Sequence, residues 1–466
     1  MIRIDRAGVL PVKRQIYEAF KQRMMSGSLR EGEAMPSTRL LAEELSVSRS
    51  TVCEAYDMLL AEGFIVAHQG APTRVAPGLT VDSASQTVAE AGFKQPPSYT
   101  ADFITGQPDL RGFPRFAFEQ SMKKAMAELP LDALGYTGAQ GLPLLRAQIS
   151  AYLYRNRGIK AAAQDIFITA GATHALHVTA EVLRVTSGKI IVEDPCHIGM
   201  LKTLERNGFT PVPIPADEAG LRTELLAGIR GCPVYVTPSH QFPLGGILSA
   251  PRRAALIRYV RDNESYIIED DYDSEFRYAG DPVAPLYMMD PQRVIYVGTF
   301  SKVLYPALRI GFATVPRHLQ PQWVKARQYT DVQNPVFEQA ALADFLETRR
   351  FDRHVHKMRR LYGARRRMLL DCLTAEFGEK CRPMGDASGL HMAVQFDGLC
   401  FDESTESFLW EQGIRAAAVA RHSIIKGCHE DILLLGYGHL NEAEIQNGVK
   451  RLGSAVRQLW EGNDRI

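Results

Sequence analysis

Residues 293–311 read RVIYVGTFSKVLYPALRIG. The run VIYVGT is β-branched and aromatic with no charge, the pattern of a strand buried on both faces. It leads into a loop with two hydroxyls, Thr299 and Ser301, a single amine, Lys302, and a guanidinium seven positions later, Arg309. An isolated lysine is ordinarily a solvated surface group. An amine in a semi-apolar pocket, however, loses its proton readily and attacks an aldehyde. The hydroxyls and the planar fork of Arg309 are suited to the oxygens of a phosphate.

Outward from this loop, short apolar runs alternate with helical patterns: DIFITAG, GKIIVEDP, CPVYVTP and SYIIEDD precede it. That rhythm predicts an α/β domain of buried parallel strands with crossover helices. In such a sheet the ligand crevice lies at the carboxyl ends of the strands. Asp270 in YIIEDDYDSEF is expected at such an end, as a partner for a ring nitrogen, with Tyr272 close to a ring oxygen. A capped acidic turn would give the same letters. In ITAGATHAL a strand passes through a glycine turn into a helix, so the backbone N–H groups of Ala172 and Thr173 are candidates to cradle phosphate. After about residue 334 the helices lengthen, and the strands of SGLHMAVQF and DILLLGYG precede a terminal helix, which predicts a smaller α+β subdomain.

The chain has 466 residues, 45% hydrophobic and 23% charged, the profile of a multidomain globular protein. Lys and Arg number 54 against 53 Asp and Glu, so any nucleic-acid contact must be local. Seven cysteines without Cys-x-x-Cys or Cys/His zinc spacing read as reduced, mostly buried thiols, and no metal site is expected. With no signal-peptide core and no run of eighteen apolar residues, no membrane partner is expected, and the address is cytoplasmic.

Ahead of this body, residues 10–75 have a different texture. Ile16, Phe20 and Met24 form one helical stripe ended by Gly27; Ser37 or Thr38 caps a second helix, RLLAEEL; Ser48 caps a third, which ends at Gly63. The hairpin FIVAH–GAPTRV follows. These are the parts of a helix-turn-helix with a wing, whose third helix enters the major groove. Ser48, Arg49, Ser50 and Thr51 at its start suit phosphates and base edges; Arg39 reaches a phosphate, and Gln69, Gly70 and Thr73 at the wing allow close approach. A plain helical hairpin is the alternative. Residues 77–100, small, polar and proline-containing, read as a linker.

The string from LPVKRQIYEAF to LLAEGFI resembles the winged helix-turn-helix of the GntR regulators almost end to end, apart from the wing, where GAPTRV replaces a Gly-Ser-Gly-Thr pattern. ITAGATHAL, EDPCH, TPSHQFPLG, EDDYDSEF and GTFSKxxxxxxR, in this order, are similar to a fold-type I aminotransferase across residues 100–466. Together the two resemble the MocR-type regulators. The boundaries this implies are a head at 1–76, a linker at 77–100, and an effector domain at 101–466 with a large subdomain at about 101–333 and a small one at about 334–466.

The resemblance implies pyridoxal 5'-phosphate as cofactor. Lys302 forms the aldimine, Asp270 meets the pyridine nitrogen, Tyr272 the 3-oxygen, and Arg309 with Thr299 the phosphate. His240 lies near that ring edge, and Tyr136 of LGYTGAQGL reaches the phosphate of a partner subunit, which implies a homodimer. Double-stranded operator DNA is the other partner, and genes of vitamin B6 or amino-acid metabolism are the implied targets.

Two positions depart from the pattern. His197 stands where Tyr or Phe stacks on the ring, and Leu434 stands where an arginine holds a substrate carboxylate. Losing that guanidinium argues against efficient transamination. The readings left open are a sensor of an amino acid or amine, a sensor of the cofactor itself, and a working aminotransferase with an accessory head.

Overall fold

The computed structural model describes residues 2–6, 8–68, 70–79, 99–280, 283–385 and 387–463; Gln69 and most of the stretch expected to be a linker lie outside them. The chain divides into two compact units, Met1–Pro96 and Pro97–Ile466.

In the first unit, helices α1 (Val12–Met25), α2 (Thr38–Leu45) and α3 (Arg49–Ala61) precede strands β1 (Ile65–Val66) and β2 (Arg74–Val75). The capping signals hold at atomic level: Ser37 Oγ accepts from Leu40 N and Ser48 Oγ from Thr51 N, each at 3.2 Å. Each cap satisfies an amide left without an intrahelical partner, an interaction of about 1 kcal/mol. Ile16, Tyr17 and Phe20 of α1 bury against Val52, Ala55 and Leu59 of α3, and β1 pairs antiparallel with β2 through Ile65 and Val75.

The second unit opens with β3 (Ala101–Asp102), α4 (Arg115–Glu128), α5 (Pro143–Arg157), β4 (Ile166–Thr169), α6 (Ala172–Leu183), β5 (Lys189–Asp194), α7 (Ile198–Arg206), β6 (Thr210–Asp217), β7 (Gly220–Leu221) and β8 (Val234–Val236). It continues with α8 (Ala250–Asp262), β9 (Ile267–Asp271), β10 (Val294–Thr299), β11 (Gly311–Thr314), α9 (Gln320–Gln328), α10 (Val336–Glu347) and α11 (Arg350–Phe377). The last elements are β12 (Cys381–Met384), β13 (His391–Phe396), α12 (Glu403–Glu411), β14 (Ile414–Arg415), β15 (Ala417–Ala418), β16 (Ile432–Gly436) and α13 (Glu442–Asn463).

Eight strands form the large sheet in the order β4-β11-β10-β9-β8-β5-β6-β7. Successive residues of β9 go to opposite faces: Ile267 joins one apolar cluster and Ile268 the other, as Val294 and Ile295 do in β10. Two-sided burial is why these strands read as continuous apolar runs. The five runs read as parallel strands, β4, β5, β8, β9 and β10, share one direction, and two strands absent from that reading run against it. Four-residue β11 runs antiparallel to both β10 and β4, and β7 antiparallel to β6. The small sheet, β12-β13-β16-β15, is antiparallel and sets Ala393 opposite Leu434.

The cysteines are free, but only Cys196, Cys232 and Cys381 are buried; Cys53, Cys372 and Cys428 are half-buried and Cys400 is exposed. Cys53 and Cys372 sit on amphipathic helices and Cys400 in a surface turn, so hydrophobic character alone misjudges them. Among the described residues no helix is long and apolar enough to cross a membrane.

Candidate functional site

The carboxyl ends of β8, β9 and β10 and the turn after β4 converge on one cavity of about 250 Å³. Lys302, Asp270, Tyr272, Thr299, Ser301, Arg309, Ala172, Thr173 and His197, all expected from the sequence, line it. Its wall also includes Gly106, Tyr235, Thr237, Phe242, Asp273 and His391, which sequence reasoning missed.

Lys302 follows β10, and its Nζ donates to the carbonyl of Gly106 at 2.7 Å. Burial pushes its pKa below the ordinary amine value; Asp273 and Asp270 pull the other way, and Arg309 adds to the depression. The group is therefore closer to the neutral, nucleophilic form than a surface lysine.

Asp270 has two differently engaged oxygens. Oδ2 accepts from the Tyr235 hydroxyl at 2.8 Å, while Oδ1 is buried without a hydrogen-bond partner. Burial raises this carboxyl to about 6, against the lowering pull of the Tyr235 hydrogen bond. A buried acceptor of this kind leaves room for one N–H donor.

On the opposite wall, Gly171 at φ +88° turns the chain from β4 into α6, whose first residues, Ala172 and Thr173, face the cavity. A side chain at Gly171 would press on the Arg309 guanidinium, 3.0 Å from the position of its Cβ. Thr299 Oγ1 accepts from Ser301 N at 3.2 Å, which folds the hydroxyl loop over the end of β10. Arg309 is left-handed at φ +51°, a conformation that costs a residue with a Cβ about 1 kcal/mol, and its guanidinium donates to the Ala170 carbonyl. Helix N-terminus, hydroxyls and guanidinium together make an anion cradle.

His197 lines the cavity and also caps α7: its Nδ1 accepts from Gly199 N at 3.1 Å. Burial and the charge of Lys302 keep its pKa below the usual value, so the neutral ring, 5.0 Å from that of Phe242, is the form present near neutrality. His240 departs from expectation. It does not line the cavity but stands behind Tyr272, whose hydroxyl lies 3.0 Å from its Nδ1. The TPSHQFPLG loop turns inward at His240, leaving it 2% exposed, and brings Phe242 to the wall instead. Tyr136 lies outside its own chain's cavity and is 89% exposed.

Leu434 is fully buried in β16, clustered with Phe242, Ala393 and Val419. The two arginines weighed as substitutes are engaged elsewhere: Arg415 grips Asp102 with two bonds of 2.7 and 2.6 Å, and Arg421 pairs with Glu406 at 3.2 Å. Arg309 is the only arginine among the described residues that line the cavity.

In the head, Ser48, Arg49, Ser50, Arg39 and Gly70 are exposed, and Thr51 and Thr73 half-buried. Arg39 is shared with Glu43 at 3.4 Å, whereas Arg49 has no carboxylate partner among the described residues and touches Thr38 Oγ1 at 3.3 Å. Ser48 Oγ lies 2.8 and 2.7 Å from the hydroxyls of Ser50 and Thr51, so the three form one polar edge at the start of α3.

Residues 12–75 match the family model described as bacterial regulatory proteins of the gntR family, and residues 108–452 that of aminotransferase class I and II. The chain is 32% identical to the probable rhizopine catabolism regulatory protein MocR of Rhizobium meliloti, over 98% of this chain and 96% of that one. The chain belongs to the MocR-type regulators. It is also 29% identical, over 95% of both chains, to the pyridoxine biosynthesis transcriptional regulator PdxR of Corynebacterium glutamicum. Among solved structures, the body of this MocR-type regulator is similar to a multiple substrate aminotransferase from Thermococcus profundus, with a TM-score of 0.73, 24% identity, and coverage of 80% of this chain and 94% of that one. The LysN α-aminoadipate aminotransferase of Thermus thermophilus aligns at TM-score 0.70 and 25% identity, over 78% and 93% of the two chains.

A MocR-type regulator thus joins a DNA-binding GntR head to a fold that binds pyridoxal phosphate. The cavity fits that group: the unpartnered Asp270 Oδ1 suits a pyridine N–H, the α6–Thr299–Ser301–Arg309 cradle a phosphate, and the depressed Lys302 amine an aldehyde. Tyr235 and Gly106 escaped sequence reasoning because their roles arise only from strand order and chain return.

Proposed function

We propose that this transcription regulator acts in the cytoplasm as a homodimer, and that pyridoxal phosphate itself is the signal that sets its affinity for operator DNA. The observation that carries this reading is the buried Leu434, with Arg415 and Arg421 both engaged elsewhere. Lys302, Asp270, Thr299, Ser301 and Arg309 line the cavity, and among the described residues no second guanidinium lines it to orient an amino-acid carboxylate. Without that bidentate anchor an α-amino acid is not held in register for proton abstraction.

In this reading Asp270 accepts from the pyridine N–H and keeps the ring protonated, and the start of α6 with Thr299, Ser301 and Arg309 holds the phosphate. Tyr272 and His197 flank the ring, with His240 behind Tyr272. When bound, the cofactor supplies an electrophilic aldehyde and an electron-withdrawing ring. Lys302, whose pKa burial holds below the ordinary amine value, is the amine that would meet that aldehyde. Nζ donates to the Gly106 carbonyl at 2.7 Å, and engaging that amine would break this bond, a local change from which a population shift would begin. The exposed Tyr136, in a surface stretch with the 86% exposed Leu131, supports a dimer in which it enters the neighbour's site. In the head, Arg49 with Ser48, Ser50 and Thr51 meets the duplex, seconded by Arg39, Gly70 and Thr73; Gln69 belongs to the same proposal from sequence alone.

The test is a titration of the cofactor-loaded protein on its operator with common amino acids and with primary amines. No amino acid is expected to move the affinity or bleach the visible band. A several-fold shift with one of them would replace this reading by an amino-acid sensor, and one with an amine lacking a carboxylate would replace it by an amine sensor.

A further inference from the structure

Strand β9 ends in two successive aspartates, and alternation along a strand sends them to opposite sides. Asp270 faces the cofactor cavity. Asp271 turns away from it and accepts, through Oδ2, from Arg157 Nη2 at 2.6 Å, from Ser274 Oγ at 2.9 Å and from the Tyr296 hydroxyl. Arg157 is the last residue of α5; its side chain is 7% exposed, and its Nε is buried without a hydrogen-bond partner among the described residues. Burial works against its charge, but Asp271, Tyr296 and Glu275 more than offset this and hold its pKa above the ordinary arginine value. A buried, charged N–H without an acceptor bears the full desolvation cost of that group, which a bound acceptor would relieve.

Arg157 lines a second cavity, of about 240 Å³, where the end of α5, the loop after β9 and the start of α11 meet. Its described lining residues share none with the cofactor cavity. Arg277 and Arg359 add two guanidiniums to the wall. Arg359 donates through Nε to the Glu275 carbonyl at 2.8 Å, and its two Nη groups have no hydrogen-bond partner among the described residues. The acids of the wall are Glu275 and Asp352. Asp352 is held at 2.8 Å by Arg349, which does not line the cavity. Glu275 accepts from the Tyr152 hydroxyl, and burial raises it to about 7, so it carries only part of a charge at neutrality.

We infer that this second cavity is an anion site that takes a phosphate group, free or esterified to a small metabolite, with Arg157 and Arg359 as its principal donors. Planar guanidiniums match pairs of phosphate oxygens, and an anion here gives Arg157 Nε its acceptor. The volume is close to the 250 Å³ of the cofactor cavity, room for more than a bare phosphate. The inference goes beyond the cofactor reading and does not depend on it.

The experiment is isothermal titration calorimetry of the cofactor-saturated, full-length protein with inorganic phosphate, glycerol 3-phosphate and succinate, with the visible absorption band followed in parallel. Saturation fills the phosphate cradle of the first cavity, so the heat reports other sites. A single phosphate group per chain is expected to bind with the band unchanged; tighter binding of the ester supports an organic phosphate as occupant, equal binding the free anion. Arg359→Ala is expected to weaken binding about tenfold, the loss of a charge-assisted hydrogen bond. Asn156→Asp, at an exposed position of the wall, adds a carboxylate without disturbing a buried group and is expected to weaken it several-fold. No binding of either phosphate probe, tighter binding of succinate, or undiminished binding in either variant would overturn the inference. So would weakening by Arg49→Ala, which would place the anion on the head, or loss of the visible band in step with binding, which would place it in the cofactor cradle.

Discussion

In the proposed function Asp270 is the residue on which recognition of the cofactor ring turns, because it is buried with one engaged and one free oxygen. Asp270→Asn keeps the shape and removes the charge. Loss of a buried charge-assisted hydrogen bond of about 1.5–3 kcal/mol should weaken cofactor binding roughly tenfold to a hundredfold, read by equilibrium dialysis. The same residue sets a pH dependence. Its folded pKa, about 6, lies above the ordinary 3.8, so its contribution to the stability of cofactor-free protein is full below the ordinary value and is lost as pH rises through about 6. Glu193 and Glu269, raised by burial to about 7, add the same sign. The melting temperature of cofactor-free protein should therefore fall between about pH 4 and pH 7, with a shallower fall below about pH 6 in Asp270→Asn. An equal slope in the two proteins would assign the effect to the other carboxyls.

At the scale of elements, the start of α3 is the part of the head best equipped to meet DNA, since Arg49 is exposed, lacks a carboxylate partner among the described residues and sits beside three hydroxyls. Arg49→Ala leaves the Ser48 cap in place, so helicity by circular dichroism should be unchanged. Operator affinity should fall about tenfold and the slope of log affinity against log salt should drop by about one; unchanged affinity and slope would remove Arg49 from the interface. The helices of the head were legible in the sequence because caps and stops are local: Ser37, Ser48, Gly27 and Gly63 act within a turn of their own position. Strands of the body were legible where burial on both faces left an unbroken apolar run. β6 was not, because Pro211, Pro213 and Pro215 alternate along it; their shared direction lets donorless nitrogens face the outer edge, which β7 covers only at Ala216 and Asp217. Within the site, the groups carried by motifs, Lys302, Asp270 and Arg309, were legible; Tyr235 and His391 were not, since each reaches the cavity only through strand placement in the folded chain. His240 shows the limit from the other side: its motif was visible, but the inward turn that sets it behind Tyr272 was not.

For the molecule as a whole, a near balance of 54 basic and 53 acidic residues means that affinity for DNA must come from a confined surface on the head. In the proposed function, cofactor occupancy at Lys302 controls that affinity. The most direct measurement is the operator affinity of full-length protein as pyridoxal phosphate is added, in the wild type and in Lys302→Ala. The expected result is a change of about tenfold in the wild type, a coupling of about 1.4 kcal/mol, and a flat line in the variant. An equal response in Lys302→Ala, or none in the wild type, would contradict it.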